Sequence, residues 1–300
     1  MMRRALDGVL LLDKPVGITS NAALQQAKRL FAAAKAGHAG TLDPLASGVL
    51  PVLLGEATKF SAFLLDAEKE YVAEIELGTS TTTGDAEGEI TARSTITVDD
   101  AALQAALARF RGVSEQIPPM YSALKHQGRP LYEMARRGLV VERKARRIAI
   151  QDLELVSRSG PRVTVRIVCS KGTYVRVLAM DIGAALGTGA HLAALRRTRA
   201  GRFGIADAWT LGALAALDAE KDRALLAVDT LLDELPTVRL DADATAAFLN
   251  GRPVERSDAM PGRCRVYGVG ARLLGVGEAA AHGLLRPVRL VARAEYSASG

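Results

Sequence analysis

Apolar positions along the chain fall into short bursts with two different periods. Gly8 to Leu12 is a continuous apolar run closed by Asp13-Lys14-Pro15-Val16-Gly17, which reads as a buried strand entering a tight turn. Ser20 or Asn21 can then cap a helix in which Ala23, Leu24, Ala27, Leu30, Phe31 and Ala34 recur at helical spacing until Gly37 stops it. Val49 to Leu54 and Ala62 to Leu65 are again apolar. From Tyr71 to Leu77 the alternation places Tyr71, Ala73, Ile75 and Leu77 on one strand face, with Glu74 and Glu76 on the other. Gly78 to Gly88, rich in Thr, reads as a loop, and a strand near Glu89 to Arg93 follows it. Asp99 or Asp100 caps a helix through Leu103, Leu107 and Phe110 that ends at Gly112.

In the second half, Arg146 to Val156 and Pro161 to Cys169 read as paired strands, the latter with Val163, Val165, Ile167 and Cys169 inward. Ser170 to Arg176 leads into a helix through Val177, Leu178, Met180, Asp181 and Ile182 that stops near Gly187. Gly189 to Thr198 is apolar and then basic, and a helix around Trp209 to Leu217 follows. At Asp233-Glu234-Leu235-Pro236 the composition resets. Thr237 to Arg293 is rich in Gly and Val, with β-like runs at Cys264 to Val269, Arg272 to Val276 and Leu284 to Val291, as expected of a small β-barrel. These runs predict an α+β protein with a large part at residues 1–235 and a small barrel at residues 236–300. The chain contains no internal repeat.

One stretch concentrates unusual backbone chemistry. Gly37 to Lys59 reads GHAGTLDPLASGVLPVLLGEATK and sets Asp43 between a glycine-rich approach and Pro44, with Gly48 and Pro51 beyond. Two readings fit these residues. Asp43 can cap a helix that has Pro44 at its first position, or the segment can hold one carboxylate in place for chemistry.

Composition adds a partner class. The formal charge is +6 and the sequence pI about 9.5. Arginine carries most of that excess, and its planar fork suits phosphate and bases. Ile117 to Gly138 interleaves Lys125, His126, Arg129, Arg136 and Arg137 with Tyr121 and Tyr132, which suits RNA or a solvated basic loop. Pro118-Pro119 forbids helix at its start, and Pro130 opens a short one that Gly138 ends. Cys169 and Cys264 lie far apart in apolar runs, so neither a metal site nor a disulfide framework is expected, and a reduced cytoplasmic setting fits. The N-terminal apolar run is too short for a signal peptide, and no run is long enough to span a membrane. Metal-ligand clusters, glycine-rich nucleotide loops and a Ser/His/Asp order are missing from the sequence, so no metal or organic cofactor is expected.

The stretch around Asp43 resembles the second motif of the tRNA pseudouridine-55 synthases (TruB type), in which the catalytic aspartate lies in a G-x-L-D-P-x-A-x-G core, here Gly40 to Gly48. KPVGITSN from Lys14 resembles that family's first motif, which shapes the active-site floor, although Lys14 also reads as a solvated turn lysine. Motif-level similarity runs from Lys14 to about Phe203. The resemblance implies a pseudouridine synthase fold, with a mixed, mostly antiparallel central sheet flanked by helices and loops, a PUA-like tail and an RNA-binding insertion at about 117–145 that closes on the T-arm. It implies isomerisation of uridine to pseudouridine in the T-loop of tRNA, with Asp43 as the catalytic carboxylate. Tyr71 would stack on the base, and Arg176 would keep Asp43 charged. Leu195 would pack beside the base, His38 would fill the gap left by the flipped nucleotide, and Lys59 would support the loop or its phosphate contacts. The implied partner is tRNA, through its T-arm and acceptor stem, bound by a monomer with no obligate protein partner. Arg176 also stands out by itself, because a cation at the start of a helix opposes the dipole and calls for a compensating carboxylate.

Two other classes compete with this reading. An RNA-binding or RNA-folding protein with a vestigial site would use the basic insertion and the tail. A carboxylate glycosidase needs two acids flanking one bond, and only Asp43 has such a setting.

Overall fold

The computed structural model describes residues 3–291 apart from 123 and 257. Its large sheet has ten strands. Seven of them form the continuous middle: β1 (Gly8–Lys14), β2 (Ala46–Leu54), β3 (Lys69–Leu77), β4 (Gly112–Gln116), β5 (Arg146–Ser159), β6 (Arg162–Cys169) and β7 (Ala190–Ala200). The spatial order is β1-β2-β7-β3-β6-β5-β4, with Leu225–Leu226 outside β1. Two short strands, Ala36–His38 on β2 and Phe203–Gly204 on β7, pair off this path. Every pairing is antiparallel except β2 with β7, which run parallel. This is the mixed, mostly antiparallel sheet that the resemblance implies.

The continuous apolar run of β1 follows from burial on both faces. Leu10 and Leu12 join a cluster with Leu24 and Ala27 of α1 (Ser20–Leu30), Ile75 of β3, and Leu178 and Ile182 of α3 (Val175–Ala185). Val9 and Leu11 face a second cluster with Leu53 and Phe60. On β3 burial alternates strictly, with Tyr71, Ala73, Ile75 and Leu77 inward.

Three helix details differ from expectation. Thr19, not Ser20 or Asn21, caps α1, its hydroxyl accepting from the Ala22 N–H at 3.1 Å. The helix ends at Leu30 rather than running to Gly37, because Ala32 takes φ +50° and the chain returns as the strand Ala36–His38. No helix follows Asp43: its carbonyl accepts from Ala46 N at 3.0 Å, closing a turn that leads directly into β2. That removes the helix-cap reading of the aspartate. By contrast, Asp99 caps α2 (Asp100–Arg109) as expected, accepting from Ala102 N at 2.7 Å.

The tail forms a five-stranded open half-barrel made of β8 (Thr237–Arg239), β9 (Val254–Glu255), β10 (Gly262–Tyr267), β11 (Leu273–Ala279) and β12 (Leu284–Leu290), in the order β8-β10-β11-β12-β9. A helix absent from the sequence reading, α4 (Ala242–Leu249), is capped by Asp241. Residues 292–300 lie outside the described residues. The half-barrel is bound to the large sheet. Val276 of β11 packs into the cluster with Val9, Leu53 and Phe60, Tyr267 donates to Asp229 at 2.8 Å, and Asp233 pairs with both Arg202 and Arg265.

Candidate active site

The loop carrying Asp43 is clamped from the turn after β1. The Ser20 hydroxyl, buried, donates to the Leu42 carbonyl at 2.9 Å and accepts from Leu42 N–H at 2.8 Å. One turn earlier, Gly17 N–H donates to the Pro44 carbonyl at 2.8 Å. Asp43 is thus gripped at both neighbouring residues while its own side chain stays 42% exposed. Lys14 in the same turn is fully buried and donates to the carbonyls of Pro15 and Ile18 at 2.8 and 2.7 Å. It is therefore no solvated turn lysine: its ammonium braces the turn from inside. Burial pulls its pKa down to about 8.

Asp43 Oδ2 lies 2.9 Å from Arg176 Nη2, so the predicted carboxylate partner of the helix-start arginine is in place. A second carboxylate is present that the sequence reading left in a loop. Asp85 Oδ2 lies 3.1 Å from Arg176 Nη1, and its side chain is only 3% exposed. The Asp85 loop is stitched to β7, where Leu192 N–H donates to the Gly84 carbonyl at 2.9 Å and the Leu192 carbonyl accepts from Ala86 N–H at 3.0 Å. Thr83 Oγ1 and the Glu87 N–H both donate to Asp85 Oδ1, which fixes the carboxylate. Arg176 also donates to the Tyr121 carbonyl of the insertion at 2.6 Å. The only sequence signal for Asp85 was an acid in a Thr/Gly loop, which is shared by many solvated turns.

This arrangement corrects one electrostatic expectation. Arg176 pulls the Asp43 pKa down, but desolvation by burial is the larger effect and the like charge of Asp85 adds to it. The Asp43 carboxyl therefore lies above the ordinary carboxylate range, not below it.

Asp43 and Arg176 form a shared wall between two cavities. One, of about 320 Å³, is lined also by Tyr71, Leu195, Tyr174 and Lys69. The other, of about 530 Å³, is lined by His38, Asp85 and Tyr121. Larger clefts of about 600 and 740 Å³ lie beside the half-barrel and under the insertion, but no buried ion pair lines either of them. Tyr71 enters the smaller cavity from β3, with burial pushing its hydroxyl pKa up. Leu195 comes from β7, where it is the cross-strand partner of both Ala46 and Ala73. The His38 imidazole has its Nδ1 buried without a hydrogen-bond partner among the described residues, and burial holds its pKa below the ordinary value.

Lys59 is placed elsewhere. It pairs with Glu56 at 2.6 Å and donates to the Leu290 carbonyl of the half-barrel at 3.0 Å, and it lines neither cavity. The expectation that it supports the Asp43 loop is corrected: it ties the tail to the large sheet. In the insertion, the side chains of Lys125 and His126 lie outside the described residues, while Tyr132 and Arg136 line the larger cavity.

The mixed sheet, with one gripped carboxylate before its second strand and a tyrosine and a leucine from neighbouring strands beside it, belongs to a chain whose relatives are pseudouridine synthases. Family comparison agrees along nearly the whole chain. Residues 28–175 match the TruB family pseudouridylate synthase N-terminal domain, residues 176–233 the tRNA pseudouridylate synthase B C-terminal domain, and residues 236–291 the pseudouridine synthase II TruB C-terminal domain. The chain belongs to the TruB family of pseudouridine synthases, isomerases that turn uridine into pseudouridine. It is 56% identical over 299 residues to tRNA pseudouridine synthase B of Burkholderia mallei (strain NCTC 10247), covering 97% of this chain and 99% of that one. Identity to tRNA pseudouridine synthase B of Azoarcus sp. (strain BH72) is 56% over 291 residues, covering 97% and 96%. Among solved structures it is similar to a Cbf5-Nop10-Gar1 complex, with a TM-score of 0.70 and 28% identity over 95% of this chain and 84% of that one. An archaeal box H/ACA sRNP Nop10-Cbf5 complex is similar at a TM-score of 0.69 and 28% identity, covering 95% and 85%.

Proposed function

We propose that this chain isomerises a uridine in the T-loop of tRNA, acting as a monomer in the cytoplasm without a protein partner or cofactor. The coarser statement, conversion of tRNA uridine to pseudouridine, rests on the family. The single observation that carries the finer reading is the placement of Asp43, half-exposed in a small cavity, braced by Arg176 at 2.9 Å and faced by Tyr71 and Leu195.

The reaction breaks the bond from N1 to C1′, turns the detached uracil and joins C5 to C1′, with C5 giving up its proton and N1 taking one up. It needs an ionised acid at the junction of sugar and base, and walls that keep the free base from escaping. Asp43 supplies the acid. Tyr71 and Leu195 form the walls, the ring of Tyr71 offering a stacking face. The target must leave the T-loop stack at a cost of a few kcal/mol, and His38, in the adjoining cavity, is placed to occupy the gap. The basic insertion and the arginines of the half-barrel, such as Arg252 and Arg286, would follow the phosphates of the T-arm and acceptor stem.

The test is mass-spectrometric mapping of an unmodified tRNA transcript treated with the purified protein alone. Pseudouridine in the T-loop is expected. Unchanged uridine there, with product at another site, would move the specificity elsewhere, and no product anywhere would remove the reading.

A further inference from the structure

Arg197 is a buried arginine that the site described so far does not use. It lies on β7 and is 1% exposed, and no carboxylate among the described residues pairs with it. Burying a guanidinium is costly unless its donors and charge are satisfied. Arg176, equally deep, has two carboxylates. Arg197 instead spends its fork on backbone: Nε donates to the Val49 carbonyl at 2.7 Å and Nη2 to the Gly40 carbonyl at 3.0 Å. Its third neighbour is Tyr71, its cross-strand partner on β3, and the two residues line the same small cavity.

The backbone on both sides of Asp43 is shaped around this residue. Gly40 has φ +85°, and a Cβ there would come within 3.2 Å of Arg197 Nη1. Gly48 has φ +104°, and a Cβ there would lie 2.2 Å from the Arg197 carbonyl oxygen. Both ends of the catalytic loop therefore need glycine to reach Arg197: the first meets its guanidinium and the second its main chain. Arg197 itself lines the small cavity behind Tyr71 and Asp43.

We propose that Arg197 is a positioning residue that locks the Asp43 loop to Tyr71, setting the distance between the carboxylate and the ring across the base. The role rests on the catalytic reading of Asp43 and Tyr71 given above. A neutral or shorter side chain would take this donor away from the Gly40 and Val49 carbonyls and remove the cation beside Tyr71. The buried charge also favours the phenolate of Tyr71, against the upward push of burial. Lysine cannot replace it, since an ammonium has no planar fork to reach two carbonyls together.

The experiment compares full-length Arg197→Met and Arg197→Lys with the wild type in three measurements. The Arg197→Met variant should lose about a hundredfold in single-turnover rate, as expected when reacting groups are displaced by an ångström. Binding of tRNA should change by less than about threefold, because surface phosphate contacts carry it. In a Tyr71→Phe background the Arg197→Met loss should shrink, since the two residues act through one contact. The third measurement needs no turnover, so it separates this proposal from the choice of substrate: carbon-13 NMR of ring-labelled tyrosine, with the Tyr71 resonance identified by its loss in Tyr71→Phe. That resonance should move in Arg197→Met. If the Met variant does not fold, Arg197→Lys carries the same comparisons, with losses in the same direction. A folded variant with the wild-type rate, full additivity with Tyr71→Phe, or an unmoved Tyr71 resonance overturns the assignment.

Discussion

Asp85 pairs with Nη1 of Arg176 at 3.1 Å while Asp43 pairs with Nη2 of the same guanidinium at 2.9 Å, so one buried cation serves a sealed carboxylate and an open one. The sealed partner is held in place by Thr83 and the Glu87 N–H, whereas the open partner faces the cavities and can change its contacts during a reaction. Asp85→Asn should therefore cost more stability than its distance from substrate suggests, about 3 kcal/mol by analogy with other broken buried pairs. It should also lower the Asp43 pKa, because a like charge is removed and Arg176 turns wholly to Asp43. The acid limb of the rate profile should shift to lower pH, which a series of single-turnover rates on tRNA would measure. A limb that stays in place would separate Asp85 from the ionisation of Asp43.

Asp43→Asn should abolish product while leaving tRNA affinity within about tenfold, since phosphate contacts are untouched. It should not destabilise the fold. A carboxyl whose folded pKa is raised binds protons better folded than unfolded, so its contribution to stability is lost as pH rises through the folded value. At neutral pH an ionised Asp43 thus costs stability, and Arg176 keeps Asp85 when Asp43 is neutralised. The melting temperature of the Asn variant, measured at neutral pH by calorimetry, should equal or exceed that of the wild type.

Lys14 and Lys69 give a pH signature of the opposite sign. Both are buried and bonded only to backbone carbonyls, and burial lowers each pKa to about 8. Unfolded lysine holds its proton to about pH 10.4. Between these values the unfolded chain binds more protons, so stability should rise with pH. The Cys169 thiol, pushed up to about 11 by burial, opposes this rise once the unfolded thiol ionises near pH 9, so the slope is steepest below that pH. Thermal unfolding should therefore improve from pH 8 to 9, and the slope should shrink in Lys14→Met.

Val276 tests whether the half-barrel is an independent appendage. It is 1% exposed inside the cluster with Val9, Leu53 and Phe60, and removing most of its side chain as Val276→Ala should cost about 2 kcal/mol. Trp209 is the only tryptophan; its backbone N–H donates to the Leu11 carbonyl at 2.8 Å and its side chain packs against the core of the large sheet, so its fluorescence reports on that sheet. In urea, fluorescence and far-ultraviolet circular dichroism should give coincident transitions for the wild type. Val276→Asp should split them, whereas split curves already in the wild type would mean the two sheets unfold separately.

Much of this was legible in the sequence, because local rules point the same way as the fold. Alternation along Tyr71 to Leu77 fixes the inward face of β3, and the apolar run before Asp13-Lys14-Pro15 is a strand buried on both sides. The glycines and proline around Asp43 announce a constrained loop, since only special dihedrals require them. The central strand was not legible. Ala190–Ala200 reads AHLAALRRTRA, rich in Ala, Leu and Arg, which favour helix in isolation. It becomes a strand because β2 and β3 each offer it an open edge, and pairing on both sides outweighs local propensity. That one placement delivers Leu195 to the cavity, Arg197 to the loop and Leu192 to the Asp85 turn. Asp85 itself was hidden for the same reason: its depth and its partner depend on contacts some ninety residues apart in sequence, between Asp85 and Arg176. The sequence alone thus singled out Asp43 as the candidate acid and showed that its loop is constrained. Tertiary pairing decided which cations surround it, how many carboxylates share them and in which direction its pKa moves, because burial and charge separation are properties of the packed chain alone.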